Sequence, residues 1–130
     1  MMNEAGRPII KSFKDLEVYS ESFQLQIEIE ELLKTFQESE RYLLVDQMRR
    51  CCRSIPAIIS EGWALRDSVK EFKNFLRRAY GSNCEMINHL LLTKHKDYVR
   101  KDGYVDGLIR RYEILGMKIT KLRNNWQKFK

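Results

Sequence analysis

Hydrophobic residues recur every three or four positions along most of the chain, which is typical of amphipathic helices. The clearest run lies near the carboxyl end, where steps of three and four alternate without interruption through Val105, Leu108, Tyr112, Leu115, Ile119, Leu122, Trp126 and Phe129. A repeat of about 3.5 residues is the pattern of helices that pack nearly parallel to one another. The chain shows no strand-like alternation bounded by turn residues, so the pattern predicts helices alone.

The second helix is expected to begin near Arg41, after a polar turn in which Ser39 can serve as N-cap. Its apolar seam consists of Leu44, Met48, Cys51, Ile55, Ile58 and Gly62. Pro56 lies within this helix and has no N–H to donate, so we expect a kink or a local break there. The Ser54 hydroxyl can take up part of the hydrogen-bonding capacity that Pro56 leaves unused.

The third helix is expected to begin near Ser68, because Ser68 to Glu71 has the form of a capping box. It extends to about His95, and its core stripe consists of Phe72, Leu76, Ala79, Asn83, Met86 and Leu90. Gly81 lies in the middle of this helix. The simplest role for a small residue at that position is to allow a neighbouring helix to approach closely.

The first helix, from about Phe13 to Phe36, carries two apolar stripes rather than one. One side holds Leu16, Tyr19, Phe23 and Ile27, and the nearly opposite side holds Leu25, Ile29, Leu32 and Phe36, joined by Val18. A bundle core needs only one stripe. The other predicts a further partner, of which a second copy of the chain is the simplest. A partly exposed face on a monomer is the alternative.

Four such helices with short connections predict an all-α fold, an up-down-up-down four-helix bundle whose second helix is kinked at Pro56. The bundle is expected to occupy residues 13–130 as a single domain, after a flexible N-terminal tail at residues 1–12. No apolar run is long enough for a membrane span or a signal peptide, so the cytoplasm is the expected location.

Charge is distributed unevenly along the chain. Residues 1–46 hold 5 Lys and Arg against 10 Asp and Glu, and residues 47–130 hold 19 against 8, so net charges of −5 and +11 make up the total of +6. Basic ridges on the second and third helices can neutralise phosphates. The candidate nucleic-acid-binding residues are Arg49, Arg50, Arg53, Lys70, Lys73, Arg77 and Arg78. The candidates for base stacking are Trp63, Tyr80 and Trp126. The alternative for the basic residues is a solvated face, or ion pairs with the acidic first helix.

Nothing in the sequence predicts an enzyme, a cofactor or a metal centre. The chain has no Gly-rich phosphate loop and no HExxH or GxSxG motif. Its three cysteines, Cys51, Cys52 and Cys84, include no CxxC pair, and buried free thiols in a reducing compartment are the simpler interpretation. A catalytic Cys84–His89 pair near Glu61 is the enzyme alternative, against which a buried thiol and a satisfied histidine are the simpler interpretation.

Two segments, DQMRRCCRSIPAIISEGW at residues 46–63 and KEFKNFLRRAYGSNCEM at residues 70–86, resemble the bacterial four-helix bundle proteins encoded in 23S rRNA intervening sequences. The shared positions are Asp46, Gln47, Arg49, Arg50, Ser54, Ile55, Pro56, Ile59, Glu61, Gly62, Trp63, Glu71, Phe72, Phe75, Leu76, Ala79, Gly81, Ser82 and Glu85. The opening FKDLEVY also fits, so the resemblance covers about residues 13–129. Two positions depart from it, because Ile58 stands where the family usually has Asn and Ser60 where it usually has Ala.

The resemblance implies a left-handed bundle that assembles into a ring, commonly a homopentamer. A related branch, the accessory variability determinant proteins of diversity-generating retroelements, consists of basic pentamers that bind nucleic acid and a reverse transcriptase. Neither branch is known for catalysis. The leading hypothesis is a non-enzymatic homo-oligomer that binds RNA or DNA through basic helix faces, with a reverse transcriptase or another protein as a further partner. The second hypothesis is a protein–protein adaptor whose basic faces serve subunit assembly.

Overall fold

The computed structural model describes residues 9–36 and 42–127, which form four α-helices and one short 3-10 helix. The helices are α1 (Glu17–Leu33), α2 (Tyr42–Ala64), α3 (Val69–His95) and α4 (Tyr104–Asn125), and the 3-10 helix Phe13–Asp15 precedes α1. No strand occurs among the residues described. The all-α prediction is therefore confirmed. The predicted Ser39 cap and the predicted tail up to residue 8 lie outside the described residues.

Contacts between the helices establish an up-and-down order. Cys51 of α2 meets Ser82 of α3, whereas Met48, earlier in α2, meets Thr93, later in α3. The α3–α4 contacts run in opposite directions in the same way, from Asn83–Tyr112 to Lys94–Asp106. The α4–α1 contacts also run in opposite directions, from Arg111–Glu28 to Lys118–Glu17. Each helix is thus antiparallel to its neighbours, as in an up-down-up-down bundle.

Helix α1 begins later than the sequence predicts, at Glu17 rather than Phe13. The Asp15 carboxylate accepts hydrogen bonds from the backbone N–H groups of Lys11 and Ser12, at 2.8 and 3.2 Å, and so closes a separate 3-10 turn. Leu16 then adopts an extended conformation (φ −74°, ψ 127°) between the two helices. Local hydrogen bonding by a short acidic side chain therefore competes with continuation of the helix.

The two apolar stripes of α1 have different environments. The core stripe is buried and consists of Val18, Leu25, Ile29, Leu32 and Phe36. On the other stripe Leu16 is also buried, but Phe23 is 43% exposed and Ile27 is 42% exposed. Tyr19 stacks on Phe23, with ring centroids 5.9 Å apart. Tyr19 also packs edge-on against Phe13, with ring centroids 4.8 Å apart, so Phe23 and Ile27 are the members of this side that remain exposed. The side of α1 formed by Tyr19, Phe23 and Ile27 is here called the outer stripe of α1.

Helix α2 runs without a break through Pro56, which is itself buried. Ser54 donates its hydroxyl to the carbonyl oxygen of Cys51 at 2.6 Å, not to the Cys52 carbonyl that Pro56 leaves without a helical donor. The predicted seam is buried except at Ile58, which is only partly buried while its neighbour Ile59 is fully buried.

Helix α3 carries the predicted core stripe without exception, since Phe72, Leu76, Ala79, Asn83, Met86 and Leu90 are all buried. Ser68 caps the helix by accepting a hydrogen bond from the Glu71 N–H at 3.2 Å. The Ser68 N–H donates to the carbonyl oxygen of Leu65, so a backbone turn takes the role predicted for the Glu71 carboxylate. In α4 the predicted stripe is buried as far as Ile119, and the helix ends at Asn125.

The prediction for Gly81 is wrong, because Gly81 is exposed and a Cβ atom there would meet no other atom within 4 Å. The close approaches occur at two other glycines. A Cβ on Gly62 of α2 would lie 2.6 Å from the Cβ of Phe75, and one on Gly116 of α4 would lie 2.8 Å from Nδ2 of Asn83. The same Asn83 amide donates a hydrogen bond to the carbonyl oxygen of Tyr112 at 2.8 Å. Helix α3 therefore approaches both neighbours at positions where they have no side chain.

Substitution of Gly62 by Ala should destabilise the protein, because the new methyl group meets Phe75 next to the α3 backbone and the two helices must separate. We expect a loss of about 1–3 kcal/mol in the free energy of unfolding, measured with denaturant. The matched control is Gly81→Ala, which adds the same methyl group to open space in a helix. That variant should be more stable by roughly 0.5–1 kcal/mol. Equal effects of the two substitutions would contradict the close approach at Gly62.

Candidate nucleic-acid interface

The seven predicted nucleic-acid-binding residues do not form one surface. Arg53 faces α1, where its Nε donates to the Glu30 carboxylate at 2.9 Å, and Arg49 lies one turn earlier on the same side. The Glu30 pKa is lowered first by its hydrogen bond from Arg53 and then by one from Gln26. At this position the alternative interpretation of the basic residues, ion pairing with the acidic first helix, holds within the chain.

Two more of the predicted residues lie on the outer surface between α2 and α3. Arg50 approaches Asp46 of its own helix at 3.3 Å. The Arg78 guanidinium lies over the Phe75 ring, 5.0 Å from its centroid, and Phe75 is the residue that contacts Gly62 of α2. These two arginines are exposed, but each already interacts with a neighbour on its own helix.

The acidic residues of α1 bind further basic residues on α4. Arg111 forms hydrogen bonds of 2.8 and 2.6 Å with the two carboxylate oxygens of Glu28. Lys118 lies 2.6 Å from both Glu17 and Glu21. Hydrogen bonds from Arg111 and Lys118 lower the pKa values of Glu28 and Glu17, although partial burial opposes both shifts. The negative charge of α1 is thus largely compensated by residues of α2 and α4.

The remaining three predicted residues, Lys70, Lys73 and Arg77, lie on the other side of α3. Spacings of three and four place them in line with Tyr80 and Cys84, which face α4. Within residues 9–36 and 42–127, no carboxylate forms a salt bridge with Lys70, Lys73 or Arg77. Arg49 and Arg78 also form no salt bridge with a described residue, so Lys70, Lys73 and Arg77 are distinguished by the line that they form with Tyr80.

Tyr80 and Cys84 form one wall of an open groove of about 730 Å³ between α3 and α4. The α4 wall consists of Glu113, Gly116, Met117, Thr120, Lys121, Asn124 and Asn125. Because α3 and α4 are antiparallel, the line of Lys70, Lys73 and Arg77 continues along the end of the groove where Lys121, Asn124 and Asn125 lie. We call this combined surface the α3–α4 groove. It exists because Gly116 allows the Asn83 side chain to pack against α4.

The α3–α4 groove combines charged and amide side chains with apolar ones, and Glu113 places a carboxylate in its α4 wall. Lys121 supplies a cation, and the side chains of Thr120, Asn124 and Asn125 supply hydrogen-bond donors and acceptors. The Tyr80 ring is 43% exposed, and a hydrogen bond with Cys84 raises the pKa of the Tyr80 hydroxyl. Asn124 and Asn125 are not among the predicted site residues, because an amide pair at a helix end has no distinctive pattern in sequence.

The proposed catalytic residues of the enzyme alternative do not come together. Cys84 lines the α3–α4 groove and is exposed, which corrects the prediction that all three thiols are buried. His89 lies on the α2 side of α3 and contacts Glu85, with Nε2 to Oε2 at 3.1 Å. The cysteine near His89 is Cys51 of α2. Cys51 and Cys52 are buried free thiols, as predicted.

Among the described residues, no helix is both long and apolar enough to cross a bilayer. The helical order, the close-packed α3 and the basic groove define the class of the protein. That class is a basic four-helix bundle. The chain belongs to the 23S rRNA-intervening sequence protein family, whose family model matches residues 14–121. A search of curated protein sequences gave no match.

The stability of the protein should fall in acid because ion pairs lower the pKa values of Glu17, Glu28 and Glu30 in the folded state. This contribution is complete above the ordinary glutamate pKa of 4.5 and disappears as the pH falls through the lower folded values. Denaturant unfolding from about pH 7 to about pH 3 should show the loss. Glu28→Gln should cost about 0.2–1 kcal/mol near neutral pH and flatten the acid limb.

The matched control for this measurement is Glu113→Gln. Glu113 lies on α4 and forms no salt bridge with any residue in the described ranges. Its replacement should leave the stability near neutral pH almost unchanged. An acid limb with the same slope in the Glu28→Gln variant and the parent would show that the Glu28–Arg111 pair contributes nothing.

Proposed function

We propose that this protein is a non-enzymatic, cytoplasmic homo-oligomer that binds single-stranded RNA in the α3–α4 groove. The observation that carries the proposal is the line of three basic side chains without salt bridges that leads along α3 to the α3–α4 groove. Arg53, Arg111 and Lys118 are bound to carboxylates of α1, whereas Lys70, Lys73 and Arg77 have no salt bridge within the described residues. Lysine and arginine side chains of this kind bind phosphates by displacing counterions.

Single-stranded RNA fits the groove better than a duplex does. Base stacking on an exposed aromatic ring requires unstacked bases, and Tyr80 presents such a ring between the basic line of α3 and the amide groups of α4. The amides of Asn124 and Asn125 can form hydrogen bonds with base edges or with a 2′-hydroxyl group. The name of the family, which refers to intervening sequences of 23S rRNA, is consistent with an RNA partner.

The outer stripe of α1 supports self-association. Phe23 and Ile27 are each more than two-fifths exposed, and the Tyr19 ring continues the same apolar surface. Such a surface is stabilised when it packs against another copy of the chain. A ring of five copies, the assembly that the family resemblance implies, would repeat the α3–α4 groove around its circumference. Several grooves on one RNA would raise the avidity without any new contact.

The double substitution Lys73→Ala with Arg77→Ala should weaken RNA binding, because it removes two phosphate contacts from the groove. Filter binding of a single-stranded RNA at rising salt should show a lower affinity. It should also show a smaller dependence of log K on log salt, by roughly 1.4 for two contacts to a single strand. The circular dichroism spectrum should be unchanged, because both side chains are directed away from the core.

The matched control is Lys96→Ala with Arg100→Ala, which removes the same charge from the segment that follows the carboxyl end of α3. Both control residues are exposed. This variant should keep most of the RNA affinity of the parent. An equal loss in the two variants would mean that net charge alone attracts RNA. Stronger binding to a duplex than to a single strand would contradict the stacking role of Tyr80.

The double substitution Phe23→Glu with Ile27→Glu should break the oligomer into monomers, because it places two carboxylates on the outer stripe of α1. Sedimentation at micromolar concentration should show the change. The control is Met117→Glu, which introduces a carboxylate at a position that is 71% exposed and lies on α4. A parent protein that sediments as a monomer would remove the basis for the ring.

The alternative function is a protein–protein adaptor whose basic faces serve subunit assembly. Its predicted acidic partner, the first helix of a neighbouring copy, already has internal partners at Glu17, Glu28 and Glu30. An exposed pair at the start of α2, Tyr42 and Leu43, offers an apolar surface for another protein, such as a reverse transcriptase. The Lys73→Ala, Arg77→Ala variant separates the two functions. If the basic faces serve subunit assembly, the variant should no longer assemble, and its RNA binding should be as weak as that of the parent.

A further inference from the structure

Three side chains with different metal-binding atoms meet on the α2 side of α3. The Cys51 sulfur, a Glu85 carboxylate oxygen and a His89 ring nitrogen all lie within 4.8 Å of one another. Glu85 and His89 are one turn apart on α3, and Cys51 comes from α2. This cluster is separate from the α3–α4 groove, which lies on the opposite side of α3, and its role does not depend on RNA binding.

The burial of the three side chains matches the requirements of a bound ion. Cys51 and His89 are buried, which shields their donor atoms from water. The Glu85 side chain is 57% exposed and leaves a route from solvent to the cluster. The Cys51 thiol donates to the carbonyl oxygen of Ser82 at 3.2 Å, and Glu85 and His89 are 3.1 Å apart. The three donor atoms are therefore already gathered at one place between α2 and α3, and zinc would replace the Cys51–Ser82 hydrogen bond.

The combination of sulfur, imidazole nitrogen and carboxylate oxygen selects zinc among the common divalent cations. Magnesium and calcium prefer oxygen ligands alone. Zinc binds these three donors at roughly 2.0–2.3 Å in a tetrahedron, so two ligand atoms lie about 3.4 Å apart. The Glu85 and His89 ligand atoms, 3.1 Å apart, are already close to this spacing, and the atoms that lie up to 4.8 Å apart must move closer together when the ion binds.

We propose that Cys51, Glu85 and His89 bind one Zn²⁺ ion, which ties α2 to α3 and keeps a fourth position open towards solvent. On binding, the sulfur–hydrogen bond of Cys51 breaks, the thiolate forms a bond to zinc, and the proton passes to the buffer. Two ligands one turn apart on a helix are a recurrent zinc-binding arrangement. The Cys51 ligand from a second helix makes the ion a link in the tertiary structure.

Two properties of the cluster explain how metal binding would alter it. Burial, and then the nearby Glu85 carboxylate, raise the pKa of Cys51, so the metal-free thiol remains protonated. A divalent cation reverses this preference, because it attracts both the thiolate and the carboxylate. The ion also binds the folded chain alone, since the three ligands come from two helices that separate on unfolding. Zinc should therefore raise the melting temperature.

The test uses the full chain, reduced and freed of metal, and titrates it with Zn²⁺ in a calorimeter. We expect one ion per chain with micromolar or tighter affinity. Repeating the titration in buffers of different ionisation enthalpy should reveal the proton released by Cys51. Substitution of Co²⁺ for Zn²⁺ should give a thiolate charge-transfer band together with the visible bands of a four-coordinate ion.

The chain offers a matched control for two of the ligands. Cys51→Ser and His89→Gln should abolish binding, whereas Cys84→Ser and His95→Gln, at an exposed thiol and an exposed histidine, should preserve it. If the Cys51→Ser or His89→Gln variant fails to fold, Glu85→Gln still tests the site, because Glu85 is exposed. It should weaken binding at least tenfold without changing the melting temperature of the metal-free protein.

Three results would overturn the proposal. The first is the absence of stoichiometric zinc uptake by the reduced parent protein. The second is a cobalt spectrum without a thiolate band, or one that disappears in Cys84→Ser and persists in Cys51→Ser. The third is a melting temperature that zinc leaves unchanged. Loss of RNA binding in the groove variants would bear on none of these results, so the two proposals fail independently.

Discussion

The close packing of α3 against both of its neighbours is the constraint on which the rest of the structure depends. On one side the Phe75 side chain fills the space above Gly62, and on the other the Asn83 amide fills the space above Gly116. A methyl group at Gly62 would meet the Cβ of Phe75, next to the α3 backbone, and one at Gly116 would displace the end of the Asn83 side chain. These contacts set the rotation of α3 as well as its distance from α2 and α4. The Asn83–Tyr112 hydrogen bond adds a directional contact between α3 and α4 inside a mainly apolar core.

The fixed rotation of α3 gives its two flanks separate chemistry. One flank carries Glu85 and His89 towards Cys51, and the other carries Tyr80 and Cys84 towards α4. Residues on a helix are spaced by about 100° per position, so a small rotation of α3 would bring one flank closer to its partner helix and move the other away. The metal-ligand cluster and the groove are thus both consequences of the same packing, although neither needs the other to act.

The buried core of this fold could be predicted from the sequence, because buried positions recur every three or four residues along a helix. All six residues of the predicted α3 stripe are buried, including the polar Asn83. The contacts between helices could not be predicted in the same way. Gly81 lies in the middle of a helix, as a glycine at a close helix contact often does, but Gly62 and Gly116 are the glycines at such contacts. Only the tertiary structure determines which glycine faces a neighbouring helix. The same holds for the cysteine near His89. Cys84 is the nearer one in sequence, but the fold brings Cys51, 38 positions away in the numbering, next to His89.

The acidic first helix explains why a basic surface persists elsewhere on the molecule. Its carboxylates bind Arg53, Arg111 and Lys118, and these pairs hold α1 to α2 and α4, although each exposed pair contributes little stability. The same pairing leaves α1 without carboxylates to neutralise Lys70, Lys73 and Arg77, which lie on the far side of α3. Part of the positive charge that remains lies beside the α3–α4 groove, where a concave surface and an exposed aromatic ring can act together on one polyanion. An even spread of the same net charge over the bundle would attract nucleic acid but would not orient it.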